Sequence, residues 1–180
     1  EIIKKTWAAQ FEIAVHVIGD QAAHEVAEVL YAVTAECKSS GQMVCGAHLE
    51  HAELLRPETI AILSKLQVSC HMQPCHWLSD KAWLEKKVPH LVAHLFPWAA
   101  LEKAGVHFDF GSDTPIEEAS IIRNVRAVED AESHGIRKPQ NNLAIYFSHP
   151  DLTWTPQTYV VLKDWEVQRV TFKGRTIFES

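Results

Sequence analysis

Three polar side chains end apolar, strand-like segments of this chain, and their chemical types suit a metal site. His16 lies in the run Ala-Val-His-Val-Ile, His51 follows a second apolar run, and Asp113 closes Phe-Gly-Ser-Asp. Imidazole nitrogen and carboxylate oxygen are both good zinc ligands. A zinc ion held by them would lower the pKa of its water, and an aspartate beside that water could pass the proton to a leaving nitrogen. These residue types therefore favour metal-assisted hydrolysis.

Each of these residues also has a simpler explanation. A histidine within an apolar strand, such as His16, is usually a hydrogen-bonded core residue, and either His48 or His51 could be a solvated strand-end residue. Asp113 precedes Thr-Pro and could start a turn or cap the next helix, and Asp20 could be only an N-cap. Spacing alone leaves both the metal site and these structural roles open.

The segments that carry these residues alternate between strands and helices. Strands are predicted at 11–18, 43–49, 68–73 and 106–110, and helices at 21–35, 57–66, 80–104 (broken at Pro89 and Pro97) and 117–133. This alternation predicts an α/β fold with a parallel sheet of four βα units, a partial TIM-like barrel. Strand ends of such a barrel converge on one mouth, which would bring the polar side chains together.

The sequence pattern changes after Gly135. Residues 136–157 hold three prolines and little periodicity, and we predict an irregular connection there. Short strands are predicted at 159–162, 167–172 and 176–178, with a tight hairpin turn at Lys173-Gly174-Arg175. The predicted organisation is therefore a half barrel over 1–135, a connection over 136–157 and a small antiparallel β tail over 158–180.

Composition narrows the function classes. The formal net charge is -6 and no basic cluster occurs, so we expect no nucleic-acid partner. No apolar run approaches the roughly 20 residues of a membrane span, so we expect no membrane partner. The four cysteines form no CxxC pair, which favours buried free thiols in a reducing compartment and hence a cytoplasmic protein.

Four motifs in order resemble the second half of the amidohydrolase superfamily barrel, and the amidohydrolase family 3 branch matches best. They are His-Val-Ile-Gly-Asp at 16–20, Glu-His-Ala-Glu at 50–53, Gln-Pro-Cys-His at 73–76 and Gly-Ser-Asp-Thr-Pro at 111–115. The resemblance covers residues 5 to 130 of the chain. It implies a metal-dependent hydrolase of C–N bonds in small amides or cyclic amides, with one or two divalent ions, of which zinc is expected.

The resemblance also implies a role for each matching residue. His16 and His51 would be metal ligands at the ends of the fifth and sixth barrel strands. Asp113, at the end of the eighth strand, would be the catalytic acid/base and a third candidate ligand. His76 would line the substrate pocket. The tail would correspond to the last strands of a small β-sandwich.

Two of the family's ligand motifs do not occur in the 180 residues: the H-x-H pair of the first strand and the lysine or carboxylate of the fourth. His16 and His51 alone fall short of the three protein ligands usual for catalytic zinc, and Asp113 as a third would allow only weak binding, so without the first-strand pair we expect this chain alone to be inactive. The alternative is a non-catalytic half barrel that covers its open sheet edges by forming a homodimer or by pairing with a separate N-terminal half. A third hypothesis is a structural metal site formed by His48, His51, His71 and His76.

Overall fold

A four-stranded parallel sheet dominates the computed structural model, which describes residues 1–147 and 158–180. Its strands lie side by side in chain order: β1 (Ile13–Val17), β2 (Ala47–His51), β3 (Val68–Met72) and β4 (His107–Phe110). Each neighbouring pair is parallel, and helices connect the strands. The predicted α/β class and the sequential order of a partial barrel are confirmed.

Six α-helices flank these strands: α1 (Ile2–Ala8), α2 (Asp20–Ser39), α3 (Pro57–Leu63), α4 (Pro74–Lys87), α5 (Trp98–Ala104) and α6 (Ile121–Ser133). Prolines open α3 and α4, where a missing backbone N–H costs nothing. Gly105 follows α5 with a φ of 70°, the left-handed conformation that commonly ends a helix. None of the helices in the described ranges is both long and apolar enough to cross a membrane.

Several element boundaries differ from the predicted ones. Strand β2 starts at Ala47 rather than 43, directly after Gly46, which packs closely against the Glu12 side chain. Helix α4 starts at Pro74 rather than 80, because this proline pre-sets the first helical turn. Helix α6 starts at Ile121 rather than 117, where the Ser120 hydroxyl accepts a hydrogen bond from the first turn.

The two faces of the sheet differ in burial. Side chains alternate along a strand, and β2 and β3 both alternate between buried and half-buried positions. Leu49, Cys70 and Met72 lie on the buried face and pack in one apolar core with helical side chains that include Trp77 and Trp98. The other face carries polar side chains such as His48, Glu50, Ser69, His71 and Asp109. Strand alternation therefore separates the core from a polar, accessible face.

The C-terminal residues form the predicted antiparallel sheet, with strands β5 (Tyr159–Lys163), β6 (Glu166–Phe172) and β7 (Arg175–Glu179). Two-residue turns connect them at Asp164-Trp165 and Lys173-Gly174, and all four residues have positive φ. This is the type I′ geometry whose twist matches that of the flanking strands. Arg175, expected in the turn, already belongs to β7.

Two 3₁₀ helices occur in the described residues, one inside the predicted irregular connection and one outside it. One 3₁₀ helix, Leu143–Phe147, lies within it and packs Tyr146 against Phe108 with ring centroids 4.5 Å apart. Another, Pro89–His94, lies outside it, in the proline-broken segment that was predicted as helical. The part of the connection at 148–157 lies outside the described residues.

All four cysteines are free, as predicted. Cys37, Cys70 and Cys75 are buried, and Cys45 is half-buried. Burial raises the pKa of Cys70 to about 12 and that of Cys75 to about 11, since a thiolate is poorly solvated in the core. These two thiols act as small, buried apolar side chains, Cys70 in β3 and Cys75 in α4.

Candidate functional site

The structure brings His16 and His51 into direct contact at the ends of β1 and β2. The Nε2 atom of His51 lies 3.0 Å from Nδ1 of His16, and the rings meet edge to face with centroids 4.4 Å apart. His16 is exposed, whereas His51 is 6% exposed. Adjacent parallel strands therefore place two imidazole nitrogens side by side, as the sequence predicted.

The backbone at the end of β2 turns His51 toward this contact. Alternation would put His51 on the buried face with Ala47 and Leu49, yet its ring reaches His16 on the other side. His51 and Ala52 have φ values of 74° and 48°, a left-handed conformation that is unfavourable for residues other than glycine. Such strain persists only where the surrounding structure enforces it, and it is concentrated at functional sites.

Gln73 holds the His51 ring in one orientation. Its amide Nε2 donates to the carbonyl oxygen of His71 at 3.0 Å, so its Oε1 is directed to His51 Nδ1 at 2.9 Å. Because an amide oxygen only accepts, Nδ1 of His51 carries the proton. In neutral His51 the Nε2 lone pair therefore faces His16. A hydrogen-bonded partner that fixes the tautomer is typical of metal-ligating histidines.

A second imidazole, His76, lies beside His51 and is held by Glu53. The rings of His51 and His76 stack with centroids 5.7 Å apart, and His76 Nδ1 lies 2.6 Å from Glu53 Oε1. The side chains of His76 and Glu53 are largely buried, with exposed fractions of 13% and 8%. The hydrogen bond to Glu53 raises the pKa of His76 and outweighs the opposing effect of burial. Sequence analysis gave His76 a place in the pocket but gave Glu53 no role.

Asp113 approaches this pair from the loop after β4. Its Oδ2 lies 3.9 Å from Nε2 of His76, a buried nitrogen that has no hydrogen-bond partner among the described residues. Asp113 has a φ of 56°, and its carbonyl oxygen accepts a hydrogen bond from Ile116 N at 2.8 Å. It therefore starts a turn, while Ser120 rather than Asp113 caps α6.

Asp20 has a structural role in place of the expected cap. Gly19 is the N-cap residue of α2, and Arg56 Nε donates to Asp20 Oδ2 at 2.6 Å. Burial raises the pKa of Asp20, but hydrogen bonds, chiefly from Arg56, outweigh it and hold the pKa below its ordinary value. The ion pair ties the start of α2 to the segment before α3.

These residues have the chemistry of a metal site. In the described ranges, one group of three or more potential ligands has all its ligand atoms within 4.8 Å of one another: His51, Glu53 and His76. The set shares His51 with the predicted set of His16, His51 and Asp113. The lone pair on His51 and the unpaired Nε2 of His76 are both suited to an added cation, and zinc takes nitrogen and carboxylate ligands. The residues therefore fit a divalent metal.

The four histidines of the structural-site hypothesis fall into two pairs. His51 and His76 belong to the strand ends, whereas His48 and His71 face each other with ring nitrogens 2.8 Å apart on the polar face of the sheet. The residues His16, His51, Glu53, Gln73, His76 and Asp113 are called the strand-end site below.

Parallel strands that carry imidazole and carboxylate groups at their C-terminal ends, with helices packed on one face, are the architecture of α/β-barrel enzymes. Within the α/β-barrel class, a match to a protein-family model identifies the family of this chain. The model of the amidohydrolase family matches residues 1–128, and the chain belongs to this family. The resemblance seen in the four motifs is confirmed.

Two curated proteins are similar in sequence. YtcJ of Bacillus subtilis (strain 168) is 29% identical over 143 residues, which cover 78% of this chain and 26% of that protein. LONG AFTER FAR-RED 3 of Arabidopsis thaliana is 25% identical over 117 residues, which cover 64% of this chain and 20% of that protein. The chain thus matches about a quarter of the length of the first relative and a fifth of the second.

Two crystal structures share the fold. Both are of uncharacterized metal-dependent hydrolases, one from Pyrococcus horikoshii OT3 and one from Pyrococcus furiosus. Their TM-scores are 0.55 and 0.53, with sequence identities of 23% and 24%. The alignments cover 71% and 66% of this chain but 24% and 23% of those chains. The likeness is one of fold, over part of a longer architecture.

Proposed function

We propose that this chain is part of a metal-dependent amidohydrolase that hydrolyses a C–N bond in a small amide or cyclic amide. The observation that carries the proposal is the 3.0 Å contact between His16 Nδ1 and His51 Nε2 at neighbouring strand ends of an amidohydrolase-family chain. The name of YtcJ assigns it provisionally to the amidohydrolases, and the similar crystal structures are titled metal-dependent hydrolases. Both names support the same reaction class.

His16 and His51 would hold the divalent metal, for which zinc suits the donor set, and Asp113 is the third candidate ligand. Bound there, the metal would lower the pKa of a water molecule and polarise the substrate carbonyl. Gln73 keeps the proton of His51 on Nδ1, so that Nε2 is free to coordinate. The protein's part is to present unprotonated nitrogen in a fixed orientation.

Asp113 is proposed as the catalytic acid/base, because its side chain is exposed and its Oδ2 lies 3.9 Å from the buried Nε2 of His76. It would accept a proton from the attacking water and deliver it to the leaving nitrogen. His76 would line the substrate pocket. Glu53 holds Nδ1 of His76, so its Nε2 faces Asp113 and would be available to a bound substrate.

The isolated chain is proposed to be inactive, because it covers 26% of YtcJ and 24% of the Pyrococcus horikoshii hydrolase. Strands β1 and β4 each have one neighbour in the described sheet, which leaves an open edge on either side. A complementary half barrel that pairs with these edges would supply the further ligands. The alternative, a non-catalytic homodimer, uses the same open edges, and the mass in solution separates the two.

The first test is metal content, measured by elemental analysis of the purified chain after exposure to zinc, with His16→Ala/His51→Ala as the variant. We expect the double variant to bind one zinc equivalent fewer than the wild type. His90→Gln is the matched control, because it removes an exposed imidazole outside the site. Equal stoichiometry and affinity in the double variant would remove both histidines from the metal site.

The acid/base role needs a hydrolytically active form of the protein. There, Asp113→Asn should lower turnover by about 100-fold or more, the usual contribution of a positioned acid/base, while the fold is retained. Asp164→Asn, an equivalent change in an exposed turn of the tail, should leave turnover unchanged. Full activity of the Asp113 variant would refute its role.

A further inference from the structure

Four titratable side chains form a continuous hydrogen-bonded line across the polar face of the parallel sheet. Glu12 Oε2 lies 2.9 Å from His48 Nε2, His48 Nδ1 lies 2.8 Å from His71 Nε2, and His71 Nδ1 lies 2.8 Å from Asp109 Oδ1. The line runs from the residue before β1 through β2 and β3 to β4. These four residues are called the sheet-face relay below.

The sheet-face relay is distinct from the strand-end site. None of its side chains contributes to the group of His51, Glu53 and His76. It borders an open cavity of about 400 Å³ whose lining also includes His107. His48, His71 and Asp109 are 28%, 26% and 22% exposed, so the inner atoms are partly shielded yet reachable from solvent.

The donors in the sheet-face relay leave the inner contact between its two imidazoles without a proton when both rings are neutral. The carboxylates of Glu12 and Asp109 can only accept, so the outer nitrogens of both imidazoles must donate to them. Two neutral imidazoles then have no proton left for the inner contact, and two lone pairs would face each other at 2.8 Å. A third proton or another cation between the inner nitrogens removes this repulsion.

The surroundings favour such a charge. The hydrogen bond to Asp109 raises the pKa of His71 against the effect of burial, and the charge of Glu50 acts in the same direction. Glu12 reaches His48 because Gly46 leaves room for it; a Cβ at Gly46 would lie 2.6 Å from Glu12 Oε1. Imidazoles whose outer N–H donates to a carboxylate are the usual form of histidine ligands to metals.

We propose that His48 and His71 form a second binding site for a zinc-class divalent cation, in which the cation replaces the shared proton. Glu12 and Asp109 orient the two ligands, and water from the open cavity would complete the coordination. The balance is simple: the protonated relay takes up one divalent cation and releases one proton, and no electron is transferred. The site lies outside the proposed catalytic metal site and does not depend on it.

The test uses Co²⁺ as the probe, because its visible absorption reports nitrogen coordination, and the full 180-residue chain as the protein. Titrations compare the wild type, His16→Ala/His51→Ala and His48→Gln/His71→Gln. We expect the first double variant still to bind one Co²⁺ with imidazole-type absorption, and to release about one proton per ion near pH 6. The second double variant should lose this component.

Two outcomes would overturn the proposal. One is a His16→Ala/His51→Ala protein that takes up no Co²⁺ while it remains folded by circular dichroism. The other is undiminished uptake in the His48→Gln/His71→Gln protein. If the catalytic site binds no metal, the His16→Ala/His51→Ala protein will take up as much Co²⁺ as the wild type. That outcome would contradict the catalytic site and leave the relay site standing, so the two proposals are distinguishable.

A milder variant keeps the ligands His48 and His71 and tests the orienting role of the Asp109 carboxylate. Asp109→Asn should weaken Co²⁺ binding to the relay by roughly 10- to 100-fold, the usual effect of removing a partner of a histidine ligand. His90→Gln, which removes an exposed histidine elsewhere, should bind as the wild type does. Equal affinity in Asp109→Asn and the wild type would contradict the orienting role and with it the proposed site.

Discussion

The same sheet carries two histidine clusters that are held in different ways. In the strand-end site, the ligand-type histidine His51 has a left-handed backbone and a neutral partner, Gln73. In the sheet-face relay, His48 and His71 lie within regular strands, and carboxylates hold both ends. The first cluster depends on local backbone strain, and the second on strand register.

The difference bears on what each cluster can do. A neutral amide fixes the His51 tautomer without adding charge, so its Nε2 lone pair stays available for the proposed metal. The two carboxylates of the relay favour a fixed positive charge, which suits cation binding without chemistry. A catalytic site needs strain and an open position, whereas a cation-binding site needs charge balance.

The largest expected effect comes from breaking the strand that both clusters share. Leu49 is fully buried in β2 between His48 and His51, so Leu49→Ala should lower the free energy of unfolding by about 2–5 kcal/mol. Urea unfolding measures the loss, and metal affinity should fall at both clusters. Val161→Ala, at a 41% exposed position of β5, should change stability by about 0.5 kcal/mol or less. Equal stabilities of the two variants would contradict the burial argument.

A more selective change should separate the clusters. Gln73→Leu removes the partner of His51 Nδ1 at similar volume, so we expect metal affinity at the strand-end site to fall by roughly 10- to 100-fold. Titration with Co²⁺ in a His48→Gln/His71→Gln background isolates that site. In a His16→Ala/His51→Ala background, the same change should leave relay binding within a few-fold of its unmodified level. Equal losses in both backgrounds would mean that the clusters are not independent.

The sequence predicted the fold and the contact between His16 and His51 for the same physical reason. Apolar strands followed by helical spacing dictate a parallel sheet, and parallel strands bring their C-terminal ends together. Neither inference needs the exact register. Errors were confined to boundaries, as at β2, where the apolar residues before Gly46 were included in the strand although it starts at Ala47.

What the sequence did not predict depends on backbone detail and register. Glu53 meets His76 only because the chain turns at His51 and Ala52 and α4 begins at Pro74. The sequence signal for this contact was the Glu53 carboxylate, two residues after His51. The relay requires the register that pairs His48 with Ser69 and His71 with Asp109. The hydrophobic pattern fixes which face of the sheet a residue takes, but not its partner on the next strand.

A smaller effect, dependent on pH, should distinguish the relay. The pKa of His71 is raised above its ordinary 6.5 in the fold, so its contribution to stability is fully present below that value and is lost as pH rises through the folded-state pKa. Asp109→Asn should therefore lower the free energy of unfolding more at pH 6 than at pH 8. The difference should be on the order of 1 kcal/mol, the value of a partly exposed charged hydrogen bond. Urea unfolding at both pH values measures the difference.

The control for this prediction is Asp164→Asn in the exposed turn of the tail, which should change the free energy of unfolding equally at both pH values. A pH-independent loss in Asp109→Asn would mean that Asp109 does not hold the charged form of His71.

The smallest effect concerns thiol reactivity, which reports on each cluster separately. Cys70 precedes His71 in β3, and Cys75 precedes His76 in α4. Both are fully buried, with pKa values raised to about 12 and about 11. Since the thiolate is the reactive form, we expect half-buried Cys45 to react first with a disulfide reagent at pH 8, as followed by peptide mass spectrometry.

Variants at one cluster should then change the labelling rate of only the cysteine next to that cluster. His48→Gln/His71→Gln should speed labelling of Cys70 by a modest factor and leave Cys75 protected, whereas His16→Ala/His51→Ala should leave Cys70 protected. Urea-unfolded protein, in which all four thiols react alike, sets the reference rate. Labelling of Cys70 as fast as Cys45 in the folded wild type would contradict the packed sheet beneath the relay, and simultaneous release of both thiols would show that the two clusters open as one unit.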